Sequence, residues 1–131
     1  MKKKQPPQPA PTHPFNPTPA KLRGLLKKTK LVVFGPCRGH VKSFDVECIE
    51  NFSVTLICLE VNQGSLELPS WQESQGSEGF TLKNLDASTF DWTEDVNDGT
   101  VTATREVIDG KKKKTFVYVF ITDFNTAARL G

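Results

Sequence analysis

No aspartate or glutamate occurs in the first 44 residues of this 131-residue chain. The same stretch holds eight lysines and two arginines, a block of ten positive charges with no local acidic partner. Histidine is scarce, with only His13 and His40. The three cysteines, Cys37, Cys48 and Cys58, are odd in number and contain no Cys-x-x-Cys pair, so zinc-ligand spacing is missing. There is no G-x-x-x-x-G-K-[ST] or G-x-G-x-x-G phosphate loop and no G-x-S-x-G elbow. Cys37 and His40 lack a third group that would orient them as nucleophile and base. These absences point away from an enzyme and imply no cofactor. No apolar run approaches the ~18 residues of a membrane span, and no hydrophobic signal segment opens the chain. A reduced, intracellular setting without a membrane is the expectation.

What is present is unevenly distributed. Residues 1–21 hold seven of the nine prolines and, beyond Met1, a single large apolar side chain, Phe15. Such a segment has too little to bury to offset its ordering entropy, so residues 1–30 are expected to form a disordered or extended basic arm. Within it, Leu22, Leu25 and Leu26 fall at i, i+3 and i+4, which predicts a short amphipathic helix near residues 20–30. Pro19 suits its first turn, and Gly24 weakens it.

From Leu31 onward the period changes to alternation. The segments 31–34, 41–49, 53–61, 66–71, 80–85, 90–96, 100–108 and 115–124 read as strands. Pro69 demotes its segment to an edge, and residues 72–79 read as a polar loop. Asn97-Asp98-Gly99 and Asp109-Gly110 are hairpin cues. Seven or eight strands with short connections predict an all-β fold, an antiparallel sandwich or small jelly-roll-like barrel over residues 31–131. The last three strands should form a meander. Trp71 and Trp92 are expected in the core, and Phe15 is free to dock into a neighbouring molecule.

Charge gives the functional lead. Residues 45–131 carry all fifteen acids and seven bases, four of which are the consecutive Lys111, Lys112, Lys113 and Lys114. Clustered ammonium groups repel and stay solvated, so the turn should project into water. A phosphate backbone supplies matching, closely spaced negative charge. The nucleic-acid-binding set expected from sequence is therefore Lys2, Lys3, Lys4, Lys21, Arg23, Lys27, Lys28, Lys30 and Lys111 to Lys114. Without arginine-rich or aromatic-interleaved motifs, contact would be with phosphates and indifferent to base sequence. The bland alternatives are a solubility tail, a turn that blocks edge aggregation, and a localisation signal near Lys27-Lys28-Thr29-Lys30. Asp95, Asn97 and Asp98 faintly match a calcium loop, but Gly99 stands at the fifth place of that register rather than the sixth. A solvated acidic face, or a partner for the arm across subunits, accounts for them more simply, so no metal is expected.

A flexible basic arm leading into a compact acidic β-domain resembles the layout of coat and nucleocapsid proteins of simple viruses. The resemblance covers the whole chain and is one of layout. It implies a structural protein that self-associates into a homo-oligomer and packages RNA or DNA, located in virions and host cytoplasm. Removing residues 1–30 would then abolish packaging and leave a folded body. The alternative is a monomeric β-sandwich interaction or regulatory module whose arm is a docking peptide or nuclear signal.

Overall fold

The alternating segments close into two antiparallel sheets in the computed structural model, which describes residues 12–48, 52–59, 61, 68–74 and 79–131. In chain order the strands are β1 (Thr12–Pro14), β2 (Leu31–Phe34), β3 (Cys37–Gly39), β4 (Val41–Cys48), β5 (Phe52–Cys58), β6 (Gln72–Ser74), β7 (Phe80–Asp86), β8 (Asp91–Asp95), β9 (Thr100–Asp109) and β10 (Lys112–Ile121). Two helices, α1 (Pro19–Lys28) and α2 (Phe124–Leu130), and a 3₁₀ turn (Ala87–Thr89) complete the described residues. One sheet has the order β1-β8-β9-β10-β2-β3 and the other β4-β5-β7-β6. The fold is an all-β sandwich, as expected, and the expected β8-β9-β10 meander is present.

The surplus over seven or eight strands consists of three-residue pairings at sheet edges: β1, β3 and β6. One of them, β6, corrects the sequence reading: Gln72–Ser74, expected as loop, pairs with β7, whereas Leu68–Trp71, expected as strand, is coil and turn. The last strand ends at Ile121 rather than 124, because Asp123 caps a second helix. The Asp123 carboxylate accepts from the Thr126 N–H (2.9 Å) and hydroxyl (3.1 Å). Phe124, expected at the end of the last strand, is instead 70% exposed on α2.

Alternation along β10 explains the core. Tyr118 and Phe120 are buried on the inner face, with Phe116 packed against the cluster. Phe34 stacks on Tyr118 (centroids 4.5 Å apart, 12° between planes), and Trp92 on Phe120 (6.0 Å, 19°). From the facing sheet, Val54, Leu56, Phe80, Leu82 and Leu85 fill the other half. Phe34, Phe80, Phe90, Phe116 and Phe120 thus join Tyr118 and Trp92 in one aromatic cluster, each such ring burying roughly 150–250 Å².

The segment 12–30 does not hang free. Thr12–Pro14 pairs with β8, Thr12 opposite Asp95 and Pro14 opposite Thr93. This is an edge position, where proline's missing donor costs no ladder bond. Phe15 donates its N–H to the Trp92 carbonyl (3.2 Å) and lies 5.8 Å from the Trp92 ring, so it docks on its own chain and not on a neighbour. The helix forms as the leucine spacing predicts. Thr18 caps it, accepting from the Lys21 N–H (3.2 Å), Pro19 sits in the first turn, and Leu22, Leu25 and Leu26 are buried. Each leucine contributes about 1.5–3 kcal/mol of burial. Helix α1 runs alongside β4, an edge strand of the four-stranded sheet, and Arg23 Nη2 donates to the Val46 carbonyl (3.1 Å). It thereby covers an edge that would otherwise offer unpaired backbone groups. The expected boundary, arm to residue 30 and domain from 31, is corrected: within the described residues the folded unit begins at Thr12. No helix among the described residues is long and apolar enough to cross a membrane.

Candidate nucleic-acid interface

The hairpin β9–β10 is paired over ten positions, from Thr100 opposite Ile121 to Asp109 opposite Lys112. Gly110 and Lys111 make the reversal. Gly110 has φ +64°, and nothing lies within 4 Å of where a Cβ would sit, so its need for glycine is conformational rather than steric. A two-residue loop with glycine at the first central place matches the right-handed twist of the flanking strands.

Alternation divides the four lysines. Lys112 and Lys114 share the face of Phe116 and Tyr118, and Lys113 shares that of Thr115 and Val117. Two of them meet acids of the same hairpin: Lys113 Nζ is 3.8 Å from Glu106 Oε2, and Lys114 Nζ is 3.7 Å from Asp109 Oδ2. These surface pairs contribute roughly 0–1 kcal/mol. Lys111 and Lys112 are exposed and lie within 4.0 Å of no acid among the described residues. Among the described residues the tip therefore presents two ammonium groups without an acidic partner, Lys111 and Lys112, beside two that each face a carboxylate.

The other expected bases are placed differently. Lys2, Lys3 and Lys4 lie outside the described residues. Lys21, Arg23, Lys27, Lys28 and Lys30 are exposed on or after α1. The Lys30 N–H donates to the Ile121 carbonyl (2.7 Å), so that group sits at the end of β10 opposite the lysine tip. Nine residue steps along β10 separate Ile121 from Lys112, about 30 Å. The structure does not join the two clusters into one patch. Moreover Lys21 and Lys28 share a cleft of about 390 Å³ with Glu94 and Asp95. Bases of α1 and acids of β8 thus line one cleft within a single chain.

The acidic hairpin turn is closed by one of its own carboxylates. Asp95 Oδ1 accepts from the Asp98 N–H (3.0 Å), and the Gly99 carbonyl accepts from Thr122 N–H (2.8 Å) and hydroxyl (3.0 Å). Gly99 has φ +67°, and a Cβ there would lie 2.5 Å from that of Asp123. Asp95, Asn97 and Asp98 thus build a turn welded to the start of α2. His40 Nδ1 lies 2.9 Å from the Lys30 carbonyl, on the exposed side of a β3 whose Cys37 is buried. A cleft of about 600 Å³ beneath α2 is lined by Leu31, Val61 and Phe124 with Lys30, Arg38 and His40. Arg38 already donates to the carbonyls of Leu130 (2.9 Å), Gly35 (2.8 Å) and Cys37 (3.1 Å), so its guanidinium clamps backbone there.

One constellation escaped the sequence reading. Trp71, expected in the core, is half-buried, and Arg105 Cζ lies 4.5 Å from its ring centroid. The indole N–H donates to the Tyr118 hydroxyl (2.9 Å), which donates to Gln72 Oε1 (2.7 Å). Burial is the main cause that raises the Tyr118 hydroxyl pKa above its ordinary 10.0, against a smaller lowering by the Trp71 bond. A usable signal existed for Arg105: it is the one base in β9, and the Asp109-Gly110 turn sets it opposite aromatic Phe116. Comparisons with models of known protein families, with curated proteins and with solved structures return no match to this chain.

Proposed function

We propose that this chain is a non-enzymatic, nucleic-acid-binding structural protein that contacts the sugar–phosphate backbone through the tip of the β9–β10 hairpin, without sequence readout. The observation that supports this is the exposed pair Lys111 and Lys112, without an acid within 4.0 Å among the described residues, at the end of a ten-position paired ladder. A paired hairpin holds the backbone of its tip in place, so less backbone entropy is lost on binding than in a free tail. Lys2, Lys3 and Lys4 add charge to the same reading. Packaging by a self-associating, coat-like assembly is the finer form of the proposal, with virion and host cytoplasm as its location.

A second reading is favoured by one finding. Residues 12–30 dock on the body, so the bases of α1 belong to the folded unit. A monomeric β-sandwich module, with its bases used for docking or nuclear entry, fits that placement. Light scattering of the full chain with and without a 40-nucleotide single strand separates the two. Mass growth into multi-subunit complexes, with nucleic acid carried through purification at 260 nm, supports the first. A monomer that binds no nucleic acid overturns it.

A further inference from the structure

We propose that the cleft beside Trp71 and Arg105 seats one unpaired nucleobase, which makes the chain selective for single-stranded nucleic acid. The inference rests on the phosphate-binding reading of the hairpin tip and adds to it a reason to reject duplexes. The cleft is about 400 Å³ and is lined by Trp71, Glu73, Lys83, Asn84, Asp86 and Arg105, with Ser70 at its margin.

Its charges cancel: Lys83 and Arg105 stand against Glu73 and Asp86, and Lys83 Nζ is 3.3 Å from Glu73 Oε2. An anion gains little in such a lining. A neutral, planar ring bearing both donors and acceptors gains more, because carboxylates, an amide and an ammonium are all within one small space. That description fits a nucleobase edge.

The stacking surface is already built. Trp71 is held edge-on by Phe90 (5.6 Å, 81°) and Phe116 (5.4 Å, 83°) and is pinned by its bond to Tyr118. Arg105 lies over that fixed indole at 4.5 Å and over Phe90 at 5.9 Å. Arg105 Nη1 also donates to Thr89 Oγ1 (3.4 Å), and the residue lines the cleft, where an incoming base would meet the guanidinium backed by these rings. Arginine planes backed by aromatic rings are a recurrent base-stacking platform. Asn84 adopts φ +51°, the one positive φ among described non-glycine residues, and it lines this same cleft. That conformation falls where the β5–β7 register shifts, between Leu82 and Leu85, and so turns the strand at the cleft rim.

The spacing to the tip suits a continuous strand. Arg105 is opposite Phe116, and Lys112 lies four residues further along β10, about 13 Å. A base in the cleft and phosphates at Lys111 and Lys112 are then only a few nucleotides apart. Bases locked in a duplex cannot enter, so the duplex retains only phosphate contacts.

The test is fluorescence anisotropy of the full chain at fixed salt with three labelled 20-mers: a single strand, its duplex, and a single strand of abasic sites. The abasic strand keeps every phosphate and needs no protein variant. The proposal expects the abasic strand and the duplex to bind roughly 5- to 150-fold more weakly than the normal single strand, the range for one stacked base. Arg105→Gln should weaken single-strand binding by the same factor and leave duplex binding within about 2-fold. Equal affinity for normal and abasic strands overturns the base pocket and leaves the phosphate reading intact. Absence of binding to all three overturns both.

Discussion

Replacing Tyr118 by phenylalanine removes one oxygen and two hydrogen bonds from the centre of the fold. Tyr118 is fully buried and Gln72 is 5% exposed, so after the change Gln72 Oε1 loses the donor on which it closes at 2.7 Å. An orphaned buried acceptor costs about 1–3 kcal/mol. Trp71, half-exposed, can bond water through its indole N–H, so its lost acceptor adds less. A destabilisation of about 2 kcal/mol follows, and with a urea slope of about 2 kcal/mol per molar the midpoint should fall by about 1 M. The double variant Tyr118→Phe/Gln72→Leu removes both partners and should recover about half of that loss, since matched apolar replacement is nearly neutral. There is also a pH signature. Burial raises the folded-state pKa of Tyr118 above the ordinary 10.0, so its contribution is intact below pH 10. It declines as pH rises past 10, where the unfolded chain alone gives up the proton. Tyr118→Phe should lose stability less steeply over that alkaline window. A midpoint shift below about 0.3 M, or a double variant less stable than the single, would refute the buried network.

Three further outcomes follow from the same structure. Gly24→Ala should raise stability by about 0.5–1 kcal/mol in urea unfolding, because Gly24 is helix-interior and nothing lies within 4 Å of an added Cβ. Cys58 is 1% exposed and its thiol pKa is pushed by burial from the ordinary 9.0 to about 12. Thiol labelling at pH 8, followed by peptide mass spectrometry, should therefore find Cys58 protected until the chain unfolds; prompt labelling contradicts its placement. Truncation through residue 30 removes Leu22, Leu25, Leu26 and the cover of β4, so calorimetry should show the cooperative transition lost or broadened, against the expectation of a folded remainder.

The parts of this fold that sequence revealed are those governed by local periodicity. The Asp109-Gly110 reversal, the alternation of Phe116, Tyr118 and Phe120, and the i, i+3, i+4 leucines of α1 are all encoded within about ten residues. What stayed hidden is non-local. A proline-rich segment looks unable to pay for order, yet Thr12–Pro14 finds a free edge at β8 and Phe15 finds Trp92, almost eighty residues away in sequence. Gln72 opens a stretch that reads as polar loop, and only the tertiary placement of Tyr118 makes it an interior acceptor. Helix α2 was too short for its period to register, although the Asp123–Thr126 spacing is a capping cue. At the candidate interface, sequence identified the lysines but not their division between strand faces, nor the stacking of Arg105 on Trp71. The first depends on pleat and the second on how loop 68–71 lies against the hairpin.

The most direct test of the central claim is the salt dependence of single-strand binding, measured for the natural chain and for Lys111→Gln/Lys112→Gln. Each phosphate contact contributes about 0.7 to the slope of log affinity against log salt on single strands. The double variant should show a slope shallower by about 1.4, with urea stability changed by less than about 0.5 kcal/mol because both side chains are exposed. An unchanged slope would contradict the hairpin tip as the place where this chain meets a polyanion.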